Sequence, residues 1–381
     1  MVPARVLLLH NRYRAAGGEE RVVDQLETVL REHGHAVARL ERDSSEAGAA
    51  TAARGLLRGG LGADEVADAV RAHRAEIVHA HNVHPLFGWR ALAAARAAGA
   101  RTVLHLHNYR LVCAIGIGYR DERPCARCHG RDTRPGVRLR CRGSLPEALV
   151  YGAGLALQQP RLLEHADAAI AVSAAQLALL REAYGVALPE ARVLRNAVEA
   201  VADVSLAGQG RYALAAGRLV DEKGFDVAVR AAVAAGVPLR VAGAGPEEVR
   251  LRALAGDADV RFLGRVSQRE LARERRGAAV MLAPSRSQDP CPMSVVEALA
   301  DGVPVLGGDR GGVPELVGPA ASLPAEDVGA WTAALRALWD DPAARARAGE
   351  EALARARAEH APDVFYARLS AIYAQALERR P

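Results

Sequence analysis

Aromatic residues are scarce in this chain: Phe, Trp and Tyr together make up 4 % of its 381 positions. Nucleic-acid binders that stack bases set aromatics among basic residues, and no stretch here has that composition. The net charge of +5 comes from arginines spread over segments that are also rich in Ala, Glu and Asp, without a dense basic block. Nucleic acid is therefore not an expected partner. Peripheral contact with an anionic membrane surface stays open, because a basic balance is drawn to anionic lipid. No apolar run approaches the ~20 residues that a spanning helix needs. The opening MVPARVLLLHNRYRAAGG has only a short apolar stretch, interrupted by Asn11 and Arg12. It is too short for a signal-peptide core and reads as a first buried strand, with the cytoplasm as the default location.

Half of the residues are hydrophobic, and many of these are Ala, Val and Leu. Such a mixture suits helices packed on parallel strands, and the length fits two domains. Short apolar runs predict strands near 4–10, 76–81, 101–107, 168–173 and 191–196. Helical patterns lie between them, including 19–34 and 88–100, and Gly34 is a suitable helix stop. The polar segment 202–210 reads as a linker. A second array follows, with strands near 211–219, 238–245, 260–264, 279–285 and 304–308. The tail from Asp341 reads as two helices broken near Ala361–Pro362. The expected division is 1–203, 204–361 and a final helix 362–381 packing back on the first domain. Open α/β sheets bind ligands beyond the carboxyl ends of their strands, so two of them facing each other suit a two-substrate reaction.

Three stretches carry chemistry. In AAGGEERVV (15–23), Gly17 and Gly18 precede a helix start, where free N–H groups and the helix dipole favour an anion; the plainer reading is a flexible strand–helix turn. In GRLVDEKG (217–224), Arg218 and Lys223 could neutralise a diphosphate; the plainer reading is a solvated charged turn. In SRSQDPCPMSVVEALADGVPVLGG (285–308), Asp289 precedes Glu297 by eight positions. Ser294 is a candidate N-cap, which would place Glu297 three residues later as in a capping box. A carboxylate there could equally accept hydrogen bonds from a ribose diol. The loop GGVPEL (311–316) repeats the glycine-then-helix arrangement.

These motifs, in this order on two βα arrays, resemble glycosyltransferase family 4, the retaining enzymes of the GT-B fold. The resemblance covers nearly the whole chain. It is most specific in GRLVDEKGFDVAVRA, VAGAGPEEVRL, VRFLGRV and APSRSQDPCPMSVVEALADGVPVLGGDRGGVPELV. It implies an α/β GT-B fold, two Rossmann-like domains facing across a cleft. It also implies transfer of a hexosyl group from a nucleoside diphosphate sugar, UDP favoured over GDP, to a hydroxyl acceptor such as a natural product, polysaccharide or lipid-linked glycan. By the same resemblance Arg218 and Lys223 would clamp the diphosphate and Glu297 would bind the ribose. Asp289 stands where the family usually has a Glu contacting the donor sugar, and this puts the identity of the sugar in doubt. Cys291, Pro292, Met293, Ser294 and Val295 would supply the backbone around sugar and phosphate. Gly217, Gly243 and Arg265 complete the donor set. Gly17 and Gly18 would approach the diphosphate, and His107 in HLHNYR matches a histidine beside the donor sugar. No cofactor or metal is implied for catalysis; Asp257 and Asp259 match an Asp-x-Asp string but read as a turn. A GT-B epimerase and a non-catalytic sugar-nucleotide-binding subunit are the rival readings, and Asp289 keeps the second alive.

Four of the five cysteines cluster: Cys113, Cys125, Cys128 and Cys141. Cys125-Ala-Arg-Cys128 is a two-spacer knuckle inside an insertion, about 109–145, that is rich in Gly, Arg and Pro. A structural zinc is the favoured expectation, with free thiols and disulfide or redox chemistry as alternatives. His129 is a substitute ligand in that reading. The extended segment resembles a subgroup of family 4 sequences.

Overall fold

The computed structural model describes residues 3–13, 17–188, 190–199 and 206–378, which divide into two compact units. The first comprises 1–118, 125–197 and 362–381; the second comprises 119–124 and 198–361. The expected boundary at 203/204 and the start of the 202–210 linker lie outside the described residues. Ala207–Gln209 forms a short 3-10 turn.

In chain order the strands are β1 (Arg5–Arg12), β2 (Ala36–Asp43), β3 (Ile77–Ala80), β4 (Arg101–Leu106), a small hairpin β5 (Tyr119–Arg120) and β6 (Arg123–Pro124), then β7 (Ala168–Ala171) and β8 (Ala191–Val193). The second unit continues with β9 (Ala213–Ala216), β10 (Leu239–Ala242), β11 (Val260–Gly264), β12 (Val280–Ala283), β13 (Val305–Gly308) and β14 (Ser322–Leu323). The first sheet has the order β2-β1-β3-β4-β7-β8 and the second β11-β10-β9-β12-β13-β14; among the described residues their strand pairings are parallel.

Strand β2 was not expected from the sequence. Its run AVARLERD has only Val37 fully buried, because it lies at the sheet edge and pairs with β1 alone. An edge strand can carry charge on positions that a central strand must bury. Strand β9 is shorter than the apolar run around it, since the chain turns at Gly217 with φ +154°.

Period-two alternation sorts the first sheet's side chains onto two faces. Val78, Ala80, Leu104 and Leu106 join one core with Phe87 and Tyr109. Val6, Leu8 and Val103 join the other, which is covered by Phe365, Leu369, Ile372 and Tyr373 of the helix Pro362–Glu378. The second unit packs Ala213, Val241 and Leu282 under the helix Phe225–Ala235 and against Trp331. Apolar burial at about 25 cal/mol per Å² is the dominant favourable term in both.

Candidate functional site

In the first unit the candidate polar side chains gather toward the carboxyl ends of β1, β3 and β4. The same alternation that builds the core puts His79 and His81, then His105 and His107, on one face. Their rings pile up: His79 and His81 stack with centroids 4.6 Å apart, and His105 and His107 lie 4.2 Å apart. Nδ1 of His81 is 2.9 Å from Nε2 of His107. His79 shares a 2.7 Å hydrogen bond with the Tyr373 hydroxyl.

A small recess opens here, lined among others by Glu19, His81, His84, His107, Asn108 and Arg110. Both ring nitrogens of His84 are buried without a protein partner, as are Nε2 of His81 and of His105 and Oε1 of Glu19. Orphaned buried polar atoms are costly, so this concentration marks a place built for a polar ligand or ordered water. Burial pushes the His84 imidazole down to about 4 and that of His107 to about 3, so both are neutral at pH 7. Burial also raises the Glu19 carboxyl to about 7, although the Tyr13 hydroxyl donates to it at 2.8 Å and Asn108 Nδ2 at 3.3 Å. The recess is polar yet almost uncharged, apart from Arg110 lying over the Tyr13 ring.

Gly17 and Gly18 lie beside this group, and the helix begins at Gly18. Residues 15 and 16 of that motif lie outside the described residues. The Gly17 N–H already donates to the Glu20 carboxylate at 2.7 Å, so a side chain of the protein takes the anion's place at this helix end.

In the second unit the loops after β9 and β12 are stitched together. The amides of Arg286 and Ser287 both donate to the Glu222 carbonyl, at 2.9 and 3.2 Å. Arg286 forks onto Asp226 at 2.7 and 2.8 Å. Gly224, at φ +67°, cannot carry a side chain: an added Cβ would stand 2.1 Å from the Pro284 carbonyl oxygen. Gly243 is equally constrained, 1.8 Å from the Gly217 carbonyl oxygen. These glycines let strand-end loops approach each other closely.

Within that frame Lys223 donates to Asp289 at 2.5 Å, with both side chains about one-fifth exposed. Arg218 is more open and only 3.3 Å from Glu222. Arg265 is exposed. Gly312 N–H donates to the Asp289 carbonyl at 2.8 Å, and Gly311 N–H to the Gln288 side chain at 2.9 Å, so the GGVPEL loop holds the Asp289 loop in place.

The capping-box reading of Ser294 and Glu297 is incorrect. The helix runs Met293–Ala300 with Pro292 as its N-cap and no side-chain cap; proline, lacking an N–H, already fits the turn. Ser294 is thus the second helical residue and Glu297 the fifth. Glu297 is buried and accepts from Arg275 at 2.8 Å, while Asp301 accepts from the same guanidinium at 2.7 Å. Cys291, Met293 and Val295 are also buried, and Pro292 and Ser294 are partly exposed. The string Asp257–Asp259 lies in the turn before β11.

The cysteines Cys113, Cys125, Cys128 and Cys141 are half-buried and not joined in disulfides. Burial raises the Cys128 thiol to about 11, and the other three thiols add to the effect. His129 is exposed; its ring packs on Gly185, where an added Cβ would be 2.2 Å away. Among the described residues, His79, His81 and His105 form the one group of three metal-capable side chains whose ligand atoms all lie within 4.8 Å.

Sequence reasoning missed Glu19, His84 and Arg275. The repeated His-x-His-Asn at 79–82 and 105–108 was a visible signal for the recess. Lys223 carried a stronger one: it is the only lysine in a chain with 50 Lys and Arg residues. A chain that uses arginine everywhere else keeps the compact ammonium at this position.

Among the described residues, no helix is long and apolar enough to cross a membrane. The family model described as Glycosyltransferase Family 4 matches residues 16–201, and that described as Glycosyl transferases group 1 matches residues 199–355. A GDP-mannose-dependent monoacylated alpha-(1-6)-phosphatidylinositol monomannoside mannosyltransferase of Corynebacterium glutamicum is 35% identical over 170 residues, 41% of this chain and 45% of that protein. The chain spans about half the length of the curated relatives it matches. Among solved structures, a sucrose-phosphate synthase from Thermosynechococcus elongatus superposes with a TM-score of 0.72 at 18% identity, covering 98% of each chain. The Anabaena protein HepE in complex with UDP gives 0.65 at 16% identity, over 97% of this chain and 99% of that one. These likenesses give the GT-B fold class. With the two family models running between them from residue 16 to residue 355, the chain belongs to the group 1, family 4 glycosyltransferases.

Proposed function

We propose that the protein is a retaining glycosyltransferase that takes a hexosyl group from a nucleoside diphosphate sugar and passes it to a hydroxyl acceptor. The observation that carries this reading is Lys223, the single lysine, held by Asp289 in a loop that also bears Arg218. Two cations in one strand-end loop suit a diphosphate whose negative charge grows as the glycosidic bond breaks. Glu297, fixed by Arg275, is the proposed partner of the ribose hydroxyls. Residues 291–295 lie at a helix N-terminus, where backbone N–H groups favour phosphate. Gly217 and Gly243 leave the space for it, and Arg265 stands in the neighbouring loop.

Asp289 has a double role in this reading. Its carboxylate orients the Lys223 ammonium, and it occupies the family's sugar-contacting position with one methylene less. Retention is read as attack from the face that the diphosphate leaves, the departing phosphate oxygen taking the acceptor's proton. No protein general base is needed. The recess of the first unit suits a hydroxyl-rich group, since neutral imidazoles and amides can donate and accept without demanding charge. His107 is the proposed contact to the transferred sugar. UDP is the favoured carrier, supported by the UDP bound in the HepE structure, while the corynebacterial relative's GDP-mannose dependence keeps GDP open. The location is read as cytoplasmic, with peripheral contact to anionic lipid if the acceptor is lipid-linked.

A thermal-shift panel of UDP-, GDP-, ADP- and TDP-sugars tests the reading. One carrier should raise Tm clearly over the others, by mass action on the folded state, and product NMR should show the donor's anomeric configuration. No stabilisation by any member would overturn it. Epimerised sugar released without an acceptor would favour an epimerase, and binding with neither transfer nor donor hydrolysis a non-catalytic subunit.

A further inference from the structure

The segment between Tyr109 and Leu145 has little regular structure of its own. It contains the two-residue strands β5 and β6 and one five-residue helix, Arg134–Arg138. Yet it folds back onto one hydrophobic core, and backbone hydrogen bonds fix Cys113, Cys125 and Cys141 in place. Cys113 donates its N–H to the Tyr109 carbonyl, and Cys125 donates to Gly118 at 2.8 Å. The Tyr184 hydroxyl holds the Cys125 carbonyl at 2.7 Å. Gly136 joins the other two: its carbonyl accepts from the Cys141 N–H, and an added Cβ would stand 3.4 Å from the Cys128 sulfur. Cys113 and Cys128 pack against the same hydrophobic core.

We propose that Cys113, Cys125, Cys128 and Cys141 bind one structural zinc ion as a four-thiolate site. The ligand set is soft, the spacing is C-x11-C-x2-C-x12-C, and the knuckle Cys125–Cys128 is of the kind that opens a tetrahedral site. The four thiols give up their protons as the sulfur–zinc bonds form, and nothing is oxidised or reduced. The resulting centre carries a charge of −2. Residues 110–142 offset it with nine arginines against only Asp121, Glu122 and Asp132. No three of these sulfurs lie mutually within 4.8 Å, so ligation requires their side chains to rotate inward.

The three-imidazole group is the competing metal site, and its hydrogen bonds decide against it. His79, His81 and His105 are fully buried, and Nε2 of His79 lies 3.2 Å from Nδ1 of His105. His79 is also committed to Tyr373.

The proposal is tested on the full chain purified under reducing conditions. Elemental analysis should find one zinc per chain, and X-ray absorption should show an all-sulfur shell. Titration with an organomercurial should release that zinc as four thiols react, Cys291 being counted separately as the fifth. The Cys125→Ser/Cys128→Ser variant should lose the metal; if it does not fold, the wild-type titration still decides. Absence of zinc uptake with all four thiols reacting freely would overturn the proposal. So would iron with acid-labile sulfide, disulfides among the four, or a nitrogen-only shell pointing to the histidines.

Discussion

At the carboxyl end of the first sheet the polar side chains are neutral imidazoles and one carboxyl that burial raises to about 7, several of them without a protein partner. At the corresponding end of the second sheet they are charged and paired: Lys223 with Asp289 and Arg286 with Asp226. In the proposed reading the same strand-end geometry serves two kinds of ligand. Orphaned neutral groups suit hydroxyls, which both donate and accept. Cations fixed by carboxylates suit a phosphate, which only accepts. The contrast also predicts where stability should depend on pH and where it should depend on intact ion pairs.

The pairing in the second unit is broken most sharply at Arg275. Arg275→Met removes the guanidinium from which both Glu297 and Asp301 accept, a change that costs about 3–5 kcal/mol in comparable buried sites. Urea unfolding should show that loss, with weaker nucleotide binding if the variant stays folded. An unchanged unfolding midpoint would mean that the pair does not hold this helix in place.

The titrating character of the first unit is tested at Glu19. Its native value of about 7 lies above the ordinary 4.5. Its contribution is therefore fully present below about pH 4.5 and lost as pH rises through about 7. The loss is about 3 kcal/mol at a scale of 1.36 kcal/mol per pK unit. Glu19→Gln should consequently gain stability relative to wild type between pH 5 and 8. The imidazoles act with the opposite sign. His84 and His107 lie below the ordinary 6.5, so their contribution is present above it and is lost as pH falls toward 4. A parallel pH course for wild type and variant would contradict the assignment.

A smaller effect distinguishes the ligands themselves. His107→Ala and His84→Ala should lower kcat about 10- to 100-fold, the range of one or two polar contacts, while nucleotide affinity stays the same. If nucleotide affinity falls instead, the recess is not the hydroxyl-binding place assigned to it.

Much of this was legible in the residues. Apolar runs gave ten of the strands because buried parallel strands are nearly continuous in hydrophobicity. Strand β2 was hidden by its edge position, which lets Arg39, Glu41 and Arg42 sit in a strand. Arg218, Lys223 and Asp289 were visible as charges in strand-end loops, but the Lys223–Asp289 pair was not, since 66 residues separate them. Ser294 misled for a local reason: Pro292 caps the helix, two positions earlier than a cap at Ser294 would. The burial of Glu19 could not be read from GGEE, where two adjacent glutamates look like an ordinary acidic first turn. Only the fold separates Glu20, which caps the helix, from Glu19, which points into the recess.

The central claim is that the second unit holds a nucleoside diphosphate through its lone lysine. Calorimetric titration of UDP and GDP into the wild-type chain and into Lys223→Ala tests it most directly. The account predicts that one of the two nucleotides binds the wild type and that the variant binds it at least ~10-fold more weakly, as for a lost charge-assisted hydrogen bond. Equal affinity of the two proteins for that nucleotide would contradict it.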